Sequence, residues 1–210
     1  MRERLKVLLR ASLLALAVLG VSNTAQAQVR TREIDVVKIM SFSCSVCLAA
    51  EAQDRSIAAA VTAKRGKFIW APVPTQDEDT GARERTYYAA RDLDPALGSS
   101  VKASIFKGSQ ERGLALFDFM QLYSWLQQDL PDQEKQLDDL FKRAQAEESA
   151  AALRRAIRLA LNAGSQGLPS YIILVNGEIK ATLDPSSANA GSLSALRDLV
   201  ISRVDALSKE

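Results

Sequence analysis

The sequence predicts an α/β fold, and three observations carry that prediction. A strand–helix–strand pattern opens the chain after an apolar leader. A long block with almost only helical signals follows, from Gly81 to about Ala163. A two-strand hairpin and an amphipathic helix then close the chain.

The leader comes first. Arg2, Arg4, Lys6 and Arg10 form a basic start, and Ala11 to Val21 is an apolar run of eleven residues, short for a bilayer span. Ala25-Gln26-Ala27 fits a small-x-small cleavage site. Residues 1–27 therefore read as a secretory signal peptide cut before Gln28, which predicts a periplasmic or otherwise exported protein. Residues 1–27 hold four of the chain's 27 Lys and Arg and one of its 25 Asp and Glu, so 23 basic residues face 24 acidic ones after cleavage. A near-neutral chain gives no case for nucleic acid or an anionic membrane surface as partner.

Arg32 to Phe42 reads as the first strand. Val36, Val37, Ile39, Met40 and Phe42 are apolar on both faces, which predicts a buried strand with parallel neighbours. Lys38 interrupts it, and a buried lysine needs a partner or a route to solvent. Leu48 to Lys64 is rich in alanine and predicts a helix, with Gly66 as its stop. Lys67 to Val73 reads as a second strand, bounded by Pro72 and Pro74.

The helical block follows a polar loop from Thr75 to Thr80. Its expected apolar faces use Tyr87, Tyr88, Leu93 and Leu97, then Leu114, Phe117, Met120, Leu122, Trp125 and Leu126. Pro131 is placed near the start of a further helix, where proline is tolerated. Leu137, Leu140 and Phe141 follow, and Leu153, Ile157 and Leu161 give a last stripe. Leu168 to Val175 reads as a strand, Asn176-Gly177 as a two-residue turn, and Glu178 to Leu183 as the return strand. After a loop from Asp184 to Gly191, Ser192 to Leu207 predicts the closing helix.

The only two cysteines, Cys44 and Cys47, sit where the first strand meets the first helix. A helix N-terminus has unpaired N–H groups and a partial positive charge, which favour a thiolate. A disulfide over so short a loop removes only roughly 2 kcal/mol of chain entropy, so the spacing suits redox exchange better than stapling. The chain has no histidine. That excludes c-type haem attachment, a zinc site on this cysteine pair, and Ser/His or Cys/His catalysis. No metal or organic cofactor is expected; the cysteine pair is the redox group.

The order of strand, Cys44-Ser45-Val46-Cys47, helix, helical block, Gly167-Leu168-Pro169-Ser170, Asn176-Gly177 hairpin and final helix resembles the DsbA-type thiol:disulfide oxidoreductases. The resemblance covers about residues 30–207. It implies a thioredoxin-like fold with an inserted, mostly helical subdomain, with residues 28–76 and 164–210 as the thioredoxin-like domain and 77–163 as the insertion. It also implies residue roles. Cys44 would be the exposed nucleophile and Cys47 the buried resolving partner. Pro169 would be a cis-proline facing the disulfide, with Leu168 presenting its backbone to an extended substrate.

The implied activity is transfer of the Cys44–Cys47 disulfide to cysteine-containing exported clients by a monomer that a membrane partner reoxidises. A reductase or isomerase, and a non-enzymatic peptide-binding module, are the alternatives. Two departures stand out. The best-known members carry Pro-His between the cysteines, and Ser45-Val46 here predicts a less depressed thiol pKa and a less oxidising potential. An acid of those members is replaced by Lys38, which predicts either a Lys38–Glu51 pair beneath the cysteines, able to shuttle the Cys47 proton, or a solvent-facing Glu51 and a snorkelling Lys38.

Overall fold

The computed structural model describes residues 33–187 and 191–210. The signal segment 1–27 and its cleavage point before Gln28 lie outside the described residues. Strand β1 (Ile34–Met40) leads through residues 41–44 into helix α1 (Ser45–Ala63), and β2 (Phe68–Pro72) follows. Five helices come next: α2 (Ala82–Leu93), α3 (Pro95–Phe106), α4 (Phe119–Asp129), α5 (Glu134–Gln145) and α6 (Glu147–Asn162). A π-helical turn, Lys107–Glu111, extends α3, and a short 3-10 turn, Pro131–Gln133, precedes α5. The hairpin β3 (Ser170–Val175) and β4 (Glu178–Leu183) and helix α7 (Leu193–Leu207) end the chain.

The four strands form one sheet in the order β2-β1-β3-β4. β1 runs parallel to β2 but antiparallel to β3, and β3 pairs antiparallel with β4. The sheet is therefore mixed, which corrects the expectation of parallel neighbours on both sides of β1. The two-faced apolar character of β1 comes from its central place between two helical layers, whatever direction its neighbours run.

Alternation along the strands divides the core in two. Ile34 and Val36 of β1 and Ile173 and Val175 of β3 pack against Ile57 and Val61 of α1 and Leu196, Val200 and Val204 of α7. Val37, Ile39 and Ile172 face the opposite way, into a core shared with Tyr87, Tyr88, Val101, Leu126, Leu137 and Leu140 from the α2–α5 helices. Several residues expected on apolar faces are instead exposed: Leu114, Met120 and Leu161, with Met120 76% accessible. Leu161 lies in the last turn of α6, where Leu159, Ala160 and Ala163 pack against the core instead.

Two local details differ from the sequence reading. The first helix begins three residues earlier than expected, because Cys44 itself caps it. Gly66 is not the left-handed residue that ends α1; Arg65 takes that conformation, with φ 63°. A Cβ on Gly66 would stand 1.7 Å from the Ile34 carbonyl oxygen, so glycine is required there for close approach to β1. At the hairpin, Asn176 and Gly177 both have positive φ, 52° and 82°, the backbone that a two-residue turn between twisted strands needs.

Candidate active site

Cys44 sits at the N-cap of α1 in an extended conformation, and its Sγ accepts a hydrogen bond from the Cys47 N–H at 3.1 Å. A serine or aspartate hydroxyl or carboxylate normally fills that place, satisfying one of the open donors of the first turn. The sulfur thus receives the positive end of a 19-residue helix. Both cysteines are free thiols in this structure; Cys44 is half-buried and Cys47 fully buried. The Cys44 pKa is lowered to about 6, chiefly by the hydrogen bond from the Cys47 side chain. Partial burial opposes that shift, while the Cys47 and Val46 N–H groups and the Lys38 charge reinforce it. Cys47 is pushed the other way, strongly upward, by its hydrogen bond to Cys44 and by burial. The pair is therefore split into one thiol poised as a thiolate and one held protonated.

The loop before the cysteines is held from several sides. Cys44 N–H donates to the Ser41 carbonyl at 3.1 Å, and Ser43 N–H donates to Ser41 Oγ at 3.2 Å. The buried Phe42 ring stacks edge-on against Phe106 of α3, with centroids 5.1 Å apart. Gln110 Nε2 donates to the Phe42 carbonyl at 2.7 Å, and Arg83 Nη2 donates to Ser43 Oγ at 3.0 Å. Arg83 is itself buried and ion-paired with Asp79. Residues between β2 and β3 thus fix the backbone that carries the cysteines. Sequence reasoning did not find Arg83 or Gln110, because nothing local marks them.

Across from the thiol, the Leu168–Pro169 peptide is cis, and the Leu168 carbonyl oxygen lies 4.0 Å from Cys44 Sγ. Leu168 is half-buried and Pro169 buried. Val46, between the two cysteines, leaves its side chain exposed, 43% accessible.

Beneath Cys47 lies a charged cluster in which Lys38 is fully buried. Its Nζ is 3.1 Å from Glu51 Oε1, 2.7 Å from Asp54 Oδ2 and 3.4 Å from the Cys47 carbonyl oxygen. Asp54, absent from the sequence reading, is the better buried of the two acids. It also accepts from Trp70 Nε1 at 2.9 Å and from Tyr171 Oη at 3.2 Å. Strand register explains this. Lys38 pairs with Trp70 on β2 and with Tyr171 on β3, so three donors stand in a row across the sheet, facing α1. Cys47, Glu51 and Asp54 are spaced i, i+4, i+7 and share one helix face, the signal that could have found Asp54.

Glu51 also pairs with Lys102 of α3. Burial pushes Glu51 up, but the Lys38 and Lys102 charges outweigh it and leave its pKa lowered. Asp54 is raised, because its burial outweighs the attraction of Lys38. Among the described residues no cluster of metal-ligating side chains is found.

No protein-family model matches the chain, and no curated protein sequence does. Solved structures do match. The oxidoreductase NmDsbA1 from N. meningitidis shares 16% identity at a TM-score of 0.60, over 85% of this chain and 86% of that chain. The oxidoreductase DsbA from Xylella fastidiosa shares 22% at 0.59, over 83% of this chain and 87% of that one. Pseudomonas aeruginosa DsbA shares 18% at 0.63, over 85% and 87% respectively. These similarities, spanning the sheet and the intervening helices alike, establish the fold: it is the thioredoxin-like α/β fold with a helical insertion that the DsbA oxidoreductases share.

Proposed function

We propose that the chain is an exported protein thiol–disulfide oxidoreductase that acts as a dithiol oxidase, passing the Cys44–Cys47 disulfide to client proteins. The observation that carries this reading is the split thiol pair: Cys44 capping α1 with a pKa of about 6, beside a buried Cys47 held protonated. In the disulfide form, a client thiolate attacks Cys44 Sγ. The Cys44–Cys47 bond breaks, and Cys47 leaves and takes up a proton. The second client thiolate then attacks the client sulfur of the mixed disulfide and displaces Cys44 as a thiolate. The client loses two electrons and the cysteine pair gains them. A thiolate stabilised this way is a good leaving group, which favours donation of the disulfide.

In this reading Leu168 and Pro169 form the edge against which an extended client lies, supported by the closeness of the Leu168 carbonyl to Cys44. Residues 28–76 and 164–210 act as the redox domain, with 77–163 as an insertion that braces the active loop through Arg83 and Gln110. Lys38 and Glu51, with Asp54, handle the Cys47 proton. The enzyme works as a monomer in the periplasm after removal of residues 1–27, and a membrane partner takes up its electrons. DsbA neighbours in structure and the apolar leader support this.

The test is a trap. With Cys47→Ala protein, Cys44 attacks a disulfide of a model client and no second thiol resolves the adduct. A stable mixed disulfide, released by dithiothreitol and absent in Cys44→Ala, is expected. Absence of any adduct contradicts the reading and leaves a peptide-binding module in its place.

A further inference from the structure

A cavity of about 420 Å³ opens where the outer edge of β2 meets α2 and α3. It lies in the size range of small-molecule sites. Phe68, Ile69 and Trp70 form its strand wall, and Tyr87 and Arg91, one turn apart on α2, form another. Pro95, Gly98, Ser99 and Lys102, along one face of α3, complete it. Gly98 lets α3 close on α2, since a Cβ there would meet Arg91 Cα at 2.8 Å.

The lining has a distinct chemistry. Three aromatic rings, Phe68, Trp70 and Tyr87, give it an apolar body, and the only charged lining residues are two cations, Arg91 and Lys102. Both cations have donors to spare among the described residues. Arg91 uses Nε and Nη2 on Asp92, leaving Nη1. Lys102 gives one hydrogen bond to Glu51 and rests its Nζ 4.3 Å from the Trp70 ring centre. A guanidinium and an ammonium beside aromatic faces suit a planar anion with an apolar body.

Two of the walls reach the charge cluster under Cys47. Lys102 holds Glu51, and Trp70 holds Asp54, and both acids hold Lys38. We propose that this cavity binds a small aromatic carboxylate, and that its occupancy is felt by the cysteine pair through Lys102 and Trp70. The second half of the proposal rests on the reading of Cys44–Cys47 as an exchanging pair. A carboxylate on Lys102 shares the ammonium with Glu51 and adds negative charge to the field around the thiols. That disfavours the thiolate of the reduced form relative to the neutral disulfide, so the oxidised protein binds the ligand more tightly. By linkage, the ligand then shifts the redox equilibrium by the same factor.

The probe is 2-naphthoate, with 2-naphthylmethanol as its neutral counterpart, titrated calorimetrically into the oxidised and the reduced protein. Sub-millimolar binding of naphthoate is expected, about tenfold weaker for the alcohol and for Lys102→Gln. Ser99→Trp, which fills the cavity without removing Lys102, is expected to abolish binding; thermal melts report whether each variant is folded. Saturating naphthoate is expected to shift the glutathione equilibrium about two- to fivefold toward the oxidised protein. Failure of naphthoate to bind at millimolar concentration, or equal binding of the alcohol, overturns the site. Equal affinity for both redox forms overturns the coupling. A protein that fails to equilibrate with glutathione even without probe overturns the exchange reading, and the coupling with it, while the binding titrations still decide the site.

Discussion

Cys44 Sγ replaces the oxygen that caps most helices, and this one substitution of sulfur for oxygen sets much of the site's chemistry. With a pKa of about 6, the thiol is about 90% thiolate at pH 7. Titration of the thiolate ultraviolet absorbance of reduced protein is expected to show a midpoint near pH 6. A midpoint near the ordinary value of 9 would contradict the capping account. The sign for stability follows. The folded pKa lies below the unfolded one, so Cys44 contributes stability to the reduced protein that is present above pH 9 and lost as pH falls through about 6. Helix-terminal cysteines reach values as low as about 3.5, so a value of about 6 places Cys44 inside the known range rather than at its extreme. One level below, Glu51 connects Lys38 to Lys102 and is the more accessible of the two acids. Glu51→Gln is expected to shift the pH dependence of thiol exchange, measured as the rate of client oxidation across pH 5 to 9. An unchanged profile would remove Glu51 from the proton route and leave Asp54 as the remaining acid.

Helix α1 joins the redox site to the core. Its first turn holds the cysteines, its middle carries Glu51 and Asp54, and its last turns pack Ile57 and Val61 under β1. Its exit depends on Gly66, where the chain passes against the Ile34 carbonyl. Gly66→Ala is expected to cost about 2–3 kcal/mol by overpacking, read from the urea midpoint; an unchanged midpoint would contradict the close approach. Elements with strong local signals were legible in the sequence: the alanine-rich α1, the Asn176-Gly177 turn, and the β4 strand from Glu178 to Leu183. What was not legible depends on register. Asp54 is one helix turn beyond Glu51, but its three donors come from β1, β2 and β3, and only the pairing of Lys38 with Trp70 and Tyr171 lines them up. The direction of β3 was hidden for the same reason, since burial on both faces does not distinguish parallel from antiparallel neighbours.

At the scale of the molecule, the helices between β2 and β3 do more than add a layer. Arg83 and Gln110 hold the loop before the cysteines, and Lys102 reaches past the edge of β2 to Glu51. None of these was marked in the sequence, because each is an ordinary charged or polar helix residue until tertiary packing buries it. The cysteine pair, the helix start and the Leu168–Pro169 segment were marked, because their chemistry is local. In the proposed reading this arrangement donates a disulfide. Its most direct test is the equilibrium reduction potential of Cys44–Cys47 against glutathione. A value less negative than about −230 mV, and short of the about −120 mV of the strongest oxidants, is expected for a thiolate of intermediate stability. A value near about −270 mV would mark the protein as a reductant and reverse the direction of transfer.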